Sequence, residues 1–174
     1  KKIGITGQEG FVGKHLYNTL KLTPEAFELV PYDISFFSDD EKMKNFVQNC
    51  DVIVHLAAMN RHDDPQVIYD TNIALVDKII SALEETGSKA HVLFSSSSQE
   101  ERDNLYGKSK KEGREMFIKW AEKSGGNFTG LIIPNVFGPF GKPNYNSFIA
   151  TFCHQLTHGE IPKIDNDGVV HLIY

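Results

Sequence analysis

The chain has 174 residues, 40% of them hydrophobic, with a formal net charge of −5, enough apolar material for one compact core. Its densest basic run is Lys108-Ser109-Lys110-Lys111, which is not the clustered positive face a phosphate backbone requires, so nucleic acid is not the expected partner. No apolar run is long enough to cross a membrane and no signal-peptide pattern opens the chain, so the expectation is a soluble, cytoplasmic protein with no membrane partner.

Strand-like and helix-like segments alternate from the start. Ile3 to Thr6 is a short apolar run ending in glycine punctuation, and Phe11 to Leu20 follows with helical periodicity through Phe11, Val12, Leu16 and Leu20. Phe27 to Tyr32 reads as a second strand, with Asp33 at its end. Asp40 to Asn49 reads as an amphipathic helix with Met43, Phe46 and Val47 on one face. Asp51 to Ala57 is continuously apolar, as in a strand buried on both faces. A long helix is predicted from about Pro65 to Thr86, closed by Gly87, then a strand His91 to Ser95. A helix from Leu105 to Ser124 stops at Gly125-Gly126, and a strand Phe128 to Ile133 is closed by Pro134. This alternation predicts right-handed βαβ units and an α/β fold with a doubly wound parallel sheet, a Rossmann fold, over residues 1–134.

After Pro134 the composition changes: Gly138 to Asn146 reads as a loop and Ser147 to Thr157 as a helix. Residues 135–174 are read as the beginning of a smaller substrate-binding region. The chain opens without Met and ends inside the apolar run Val169 to Tyr174, which predicts a piece of a longer protein. Cys50 and Cys153 have neither a disulfide framework nor metal-ligand spacing and are read as buried, reduced thiols. His154 and His158 sit four apart on the last helix with no third ligand in view, so no metal site is expected.

Two constellations carry chemistry. Gly7, Gly10 and Gly13 form Gly-x-x-Gly-x-x-Gly between the first strand and the first helix, where a chain must turn tightly, approach a pyrophosphate closely and aim helix N–H groups at it. Asp33 stands 20 residues after Gly13, placed to accept from both ribose hydroxyls and to repel a 2′-phosphate; with no Lys or Arg between Tyr32 and Asp40, this favours NAD(H) over NADP(H). Tyr106 and Lys110 stand four apart on a helix, hence on one face. A phenol that exchanges a proton with a carbonyl oxygen needs its pKa lowered, and an adjacent ammonium supplies that lowering. A hydroxyl that polarises the same oxygen is on offer from Ser95-Ser96-Ser97-Ser98, at the end of the preceding strand.

Gly7-x-x-Gly10-Phe11-x-Gly13, His55-Leu56-Ala57-Ala58, Ser95-Ser96-Ser97 and Tyr106-Gly107-Lys108-Ser109-Lys110 together resemble the extended short-chain dehydrogenase/reductases, the NAD-dependent epimerase/dehydratase group. The resemblance implies Tyr106 as general acid/base, Lys110 as its activator and nicotinamide-ribose ligand, and Ser97 as the carbonyl-polarising hydroxyl. It further implies a cofactor cleft drawing on Phe11, Val12, Leu56, Ala57, Ala58, Ser95 and Pro134, with Asp51 on the adenine side and Asn72 supporting the site. Asn135 matches a position that contacts the sugar-nucleotide diphosphate. Family members often form homodimers through two long helices, here near 65–86 and 105–124.

Asn60-Arg61, Asp103-Asn104-Leu105-Tyr106-Gly107 and the segment Gly141 to Ser147, with Asn144, are similar to the reductases of capsular-polysaccharide synthesis that act on a UDP-2-acetamido-2,6-dideoxy-4-hexulose on the route to UDP-N-acetyl-L-fucosamine. Those reductases carry a cupin domain C-terminal to this region and a basic residue suited to NADPH where this chain has Asp33, so NADP(H) stays open. The resemblance implies reduction of a 4-keto nucleotide sugar, with Asn60, Arg61, Ser97, Tyr106, Asn135 and Asn144 toward substrate. A nucleotide-sugar 4-epimerase is the alternative, and a non-catalytic NAD(P)-binding sensor or scaffold is the alternative of another class, disfavoured because Tyr106 and Lys110 are both kept. A 4,6-dehydratase is disfavoured because such enzymes follow the Ser/Thr directly with Asp-Glu, whereas Ser97 is followed by Ser98-Gln99-Glu100.

Overall fold

A computed structural model of the chain describes residues 1–164 and 168–174. The chain divides into two compact units, Lys1–Ile132 and Ile133–Tyr174.

In the first unit, β1 (Lys2–Thr6), β2 (Glu28–Val30), β3 (Val52–His55), β4 (His91–Ser97) and β5 (Phe128–Ile133) form one sheet in the order β2-β1-β3-β4-β5. β1 pairs in parallel with β2 and β3, and β3 with β4, in the register Ile3↔Val52↔His91. The chain steps outward from β1 to β2 and then crosses back to β3, so the switch point of the sheet lies between β1 and β3. Ligands of open α/β sheets bind beyond the strand C-termini at such a point.

Strand alternation divides the core into two layers. Ile53, Val92 and Phe94 face one side, where they meet Met43, Phe46 and Val47 of α2 (Asp40–Gln48), Val76, Ile79 and Leu83 of α3 (Pro65–Thr86), and Phe117 and Trp120 of α4 (Leu105–Ser124). Ile3, Ile5 and Val54 face the other, packed by Leu16, Tyr17 and Leu20 of α1 (Phe11–Leu20). Phe117 is fully buried in the aromatic cluster Phe94–Phe117–Phe128. Helix boundaries obey the expected signals: Asp39 and Asp64 cap α2 and α3 through side-chain bonds, Pro65 starts α3, and Gly87 and Gly125 close α3 and α4 in the left-handed conformation.

Several boundaries differ from the sequence reading. β2 stops at Val30 because Tyr32 turns inward to the α2 layer and Asp33 caps a 3₁₀ turn over Ile34–Ser38. β3 ends at His55, so Leu56 and Ala57 leave the ladder. β4 runs two residues beyond Ser95, to Ser97, and passes directly into a 3₁₀ turn over Ser98–Glu101. Of the two cysteines, Cys50 is buried but Cys153 is exposed, because it lies on the outer face of the last helix.

The second unit holds β6 (Asn135–Val136) paired in parallel with β7 (Leu172–Ile173), and α5 (Phe148–Thr157), which Ser147 caps. The apolar run Val169 to Tyr174 thus contributes only two paired residues. Among the described residues, no helix is long and apolar enough to cross a membrane.

The start of α4 is wedged against the 3₁₀ turn: a Cβ on Gly107 would stand 2.0 Å from the Gln99 carbonyl oxygen. Backbone cannot retreat as a flexible side chain does, so Gly107→Ala is expected to lose about 1–3 kcal/mol, or roughly 2–4 °C of Tm per kcal/mol for a chain of this size. Thermal unfolding by circular dichroism measures it, and an unchanged Tm contradicts the packing.

Candidate active site

The site is built on the C-terminal ends of β1, β3 and β4. Gly7, immediately after β1, has φ +74°, and a Cβ there would lie 2.7 Å from the Ala57 nitrogen. Gly13 is equally constrained, since its Cβ would stand 2.2 Å from the Gly7 oxygen, which is what lets α1 sit close on its strand. Gly10 is exposed at the N-cap of α1 and donates to the Gly7 oxygen at 2.9 Å. No side chain caps α1 and no acidic residue lies in its first turn, so the N–H groups of Phe11, Val12 and Gly13 remain for an anion. Val12 is 37% exposed there, and Phe11 packs edge-on against His15. A glycine cradle with bare helix N–H groups fits a dinucleotide pyrophosphate.

The second strand ends beside this cradle, because Gln8 Nε2 donates to the Tyr32 carbonyl at 3.0 Å. Asp33 follows, exposed, with Oδ1 accepting from the Ser35 N–H at 2.9 Å. The Ser35 hydroxyl and then its N–H hold the Asp33 carboxyl below the usual carboxylate range.

Asp51 lies elsewhere. It precedes β3, at the N-terminal edge of the sheet, where Oδ2 accepts from the Lys2 N–H at 2.8 Å. In a parallel sheet that edge is a full strand length from the glycine cradle, so Asp51 is not an adenine-side residue. It fastens the first strand to the third, and an open depression lined by Lys1, Gln48, Cys50, Asp51 and Lys89 surrounds it.

Beyond β3 the chain is fixed by buried polar contacts. Thr6 Oγ1 bonds His55 Nδ1 at 2.6 Å and accepts from the Ala57 N–H at 3.3 Å, and Leu56 N–H reaches the Thr6 carbonyl at 3.1 Å. Ser95 Oγ donates to the His55 carbonyl at 3.2 Å, tying β4 to β3. Asn72, buried on α3, accepts from the Met59 N–H at 2.7 Å and donates to the Met59 carbonyl and to Ser109 Oγ, each at 3.0 Å. Ser109 in turn donates to the Tyr106 carbonyl at 2.7 Å. Asn72 therefore locks both the segment after β3, with half-buried Ala58, and the first turn of α4. Asn60 and Arg61 follow on the surface.

Lys110 is almost wholly buried, 3% exposed, with Nζ 4.8 Å from the Phe94 ring centroid and 5.9 Å from that of Tyr106. Burial pulls its pKa down to about 8, against the opposing pull of Glu100. Burial likewise pushes the Tyr106 phenol up. The lowering of the phenol anticipated from the Tyr106–Lys110 spacing is thus not expressed in this state: desolvation dominates both groups, leaving a protonated phenol above a marginal ammonium. His55, stacked on Phe94, is driven down to about 3 by burial and then by Lys110, so it is neutral. Its Nε2 is buried without a partner among the described residues.

Ser97, buried at the end of β4, accepts from the Gln99 N–H at 3.2 Å and so caps the 3₁₀ turn. Ser96 bonds Glu100, which Arg114 holds with three contacts of 2.6 to 3.2 Å. Spacing alone gave no signal for Thr6, Gln8, Ser96, Ser109, Glu100 or Arg114, because each acts through a partner distant in sequence.

Pro134, Asn135 and Asn144 belong to the second unit. Asn135 opens β6, its N–H bonded to the His171 carbonyl at 3.2 Å; Asn144 has φ +53° and donates its N–H to Thr151 Oγ1 at 2.9 Å. His154 and His158 stack at 4.0 Å with His158 Nδ1 engaged by the His154 carbonyl, and no group of three or more metal-ligating residues occurs among the described residues.

The chain is 33% identical, over 99% of its length and 46% of the relative's, to a UDP-2-acetamido-2,6-beta-L-arabino-hexul-4-ose reductase of Pseudomonas aeruginosa. It matches the crystal structure of the capsular polysaccharide assembling protein CapF of Staphylococcus aureus with TM-score 0.78 and 31% identity, over all of this chain and 45% of that one. A UDP-N-acetylglucosamine 4-epimerase of Methanobrevibacter ruminantium shares the fold, with TM-score 0.82 and 23% identity over all of this chain and 69% of that one. The chain thus spans less than half the length of the reductase and of CapF. Residues 3–170 match the NAD dependent epimerase/dehydratase family, and with a doubly wound parallel sheet and a glycine cradle at the end of its first strand, the chain belongs to that family.

Proposed function

We propose that this chain is the cofactor-binding half of a reductase acting on the 4-keto group of a UDP-2-acetamido-2,6-dideoxy-4-hexulose, with Ser97, Tyr106 and Lys110 as its catalytic residues. The observation that carries the reading is the geometry of the α4 face: Lys110 lies buried one turn after half-buried Tyr106, with Nζ 5.9 Å from the phenol ring, beside the strand that ends at buried Ser97. A reductase needs a tyrosine that can give up a proton there, and burial keeps the proton on this phenol. The name and 33% identity of the Pseudomonas relative support the substrate class.

When bound, the dinucleotide supplies the hydride. Ser97 polarises the C4 carbonyl, Tyr106 O–H delivers its proton to the developing alkoxide, and the Lys110 ammonium stabilises the phenolate left behind. Asn72 keeps the first turn of α4 in place through Ser109. The cofactor rests on Gly7, Gly10, Phe11, Val12 and Gly13, with Leu56, Ala57, Ala58 and Ser95 also contributing; in the second unit Pro134 is the family's candidate position. NADH is the preferred form, because the Asp33 carboxylate accepts from ribose hydroxyls and repels a 2′-phosphate. In the first unit Asn60 and Arg61 are the candidate contacts to the nucleotide sugar; in the second unit the family's corresponding positions are Asn135 and Asn144. The enzyme works in the cytoplasm in capsule synthesis, as a homodimer through α3 and α4.

Three outcomes follow. Oxidation of NADH with the UDP-4-keto sugar falls about 10²–10⁴-fold in kcat/KM in Tyr106→Phe; undiminished turnover refutes the assignment, C4 inversion without net NADH consumption indicates an epimerase, and cofactor binding without turnover indicates a sensor. Asp33→Asn loses roughly 10–100-fold of the NADH-over-NADPH preference in kcat/KM, the worth of a hydrogen bond to a charged group. The kcat/KM of the free enzyme falls as pH rises through about 8, where Lys110 loses its charge.

A further inference from the structure

Tyr106, Lys110 and Arg114 stand at intervals of four on α4, so they form one stripe along the helix. The first two belong to the reaction proposed above, while nothing in that chemistry uses Arg114. Its partner is Glu100, on the 3₁₀ turn that continues β4. The Glu100 side chain is only 6% exposed and the Arg114 side chain 25%. Arg114 Nε reaches the two carboxylate oxygens at 2.9 and 3.2 Å, and its terminal nitrogen reaches one of them at 2.6 Å. Ser96 Oγ closes the arrangement from β4, bonding Glu100 and lying 3.4 Å from the Lys110 carbonyl. The aliphatic part of Arg114 is itself confined, since a Cβ on Gly130 of β5 would stand 2.7 Å from its Cδ. A carboxylate so enclosed, two residues beyond the serine run, has a fixed position between the end of β4 and α4.

We propose that Glu100 is a positioning residue of the reaction centre, whose carboxylate, clamped by Arg114 and Ser96, pins the Ser97 end of β4 to α4 and supplies the counter-charge that keeps Lys110 an ammonium. The inference rests on the catalytic assignment of Tyr106 and Lys110.

Among the described residues, the other groups on the elements packed around Lys110 are neutral, cationic or engaged elsewhere. β3 contributes His55, which burial keeps neutral, and β4 contributes the apolar Phe94 ring. On α4, Tyr106 is held protonated by burial and Arg114 is a cation. α3, packed against α4, offers Tyr69, whose hydroxyl is spent on Glu112 at the exposed edge. Among the described residues, Glu100 supplies negative charge that opposes the burial driving the amine toward neutrality. Glu100 in turn stays ionised: burial pushes its carboxyl up, but the bonds from Arg114 and Ser96 outweigh it and leave it below the ordinary range. Arg114 thus acts at one remove, as the group that keeps the anion an anion.

The test titrates Lys110 directly, by NMR of lysine side-chain ammonium groups with the resonance assigned by Lys110→Arg, in wild type, Glu100→Gln and Glu100→Gln/Arg114→Gln. The double variant removes the pair without stranding a buried guanidinium, and it serves if the single variant does not fold. The expected result is a Lys110 midpoint lowered by about half a pH unit or more, with the alkaline limb of kcat/KM moving down by the same amount. A smaller displacement of the midpoint, or a kcat/KM reduced equally at every pH with the limb unmoved, overturns the proposal. Should Tyr106→Phe turn over normally while the Lys110 midpoint still falls, the catalytic assignment fails and the electrostatic role of Glu100 stands.

Discussion

A single buried ammonium organises this domain. Lys110 lies between α4 and β4, over the face of Phe94 and out of contact with bulk water, and a charge in that position is tolerated only where its surroundings answer it. The neighbours fit that demand. His55 is neutral and turned to Thr6, the Phe94 ring offers its π face, and Glu100, on the 3₁₀ turn that continues β4, contributes negative charge. A lysine on the open side of the same helix would be a solvated cation with no influence on a phenol. Here, burial makes its charge state responsive near neutral pH, which suits the role proposed for it, stabilising a transient phenolate.

The fold supplies this position through parallel strands of different length. β1 and β3 end early, at Thr6 and His55, and leave room for the glycine cradle and the Leu56–Ala58 segment. β4 continues to Ser97 and then turns at once into the 3₁₀ segment that meets α4. The step between short and long strands opens a cleft at the switch point and places the serine run beside the tyrosine helix. Buried side-chain bonds from Thr6, Asn72 and Ser95 lock the steps, so that the cleft walls are set by the domain core rather than by loop conformation.

Much of this was legible in the sequence. The glycine triplet, the four-residue spacing of Tyr106 and Lys110, and the apolar runs of β1, β3 and β4 are local signals, and local signals survive folding. Asp51 was misread because its sequence position, next to a strand, does not say which end of the sheet it occupies; register against Lys2 settles that. The end of β4 was placed too early, since four serines carry little strand propensity and only pairing and burial extend the strand through them. The electrostatics of the tyrosine also differed: a spacing argument sees the ammonium beside the phenol but not the burial that outweighs it. The Glu100–Arg114 clamp has no sequence signature, because its partners meet only when β4 and α4 pack.

The proposed function makes one chemical claim, that hydrogen passes from the nicotinamide to the C4 carbon of the sugar. Mass spectrometry of the sugar product formed with NADH deuterated at the transferring C4 position measures that transfer most directly. The account predicts one deuterium on the sugar C4 carbon, delivered stoichiometrically with cofactor oxidation. A product with no deuterium at that carbon contradicts it.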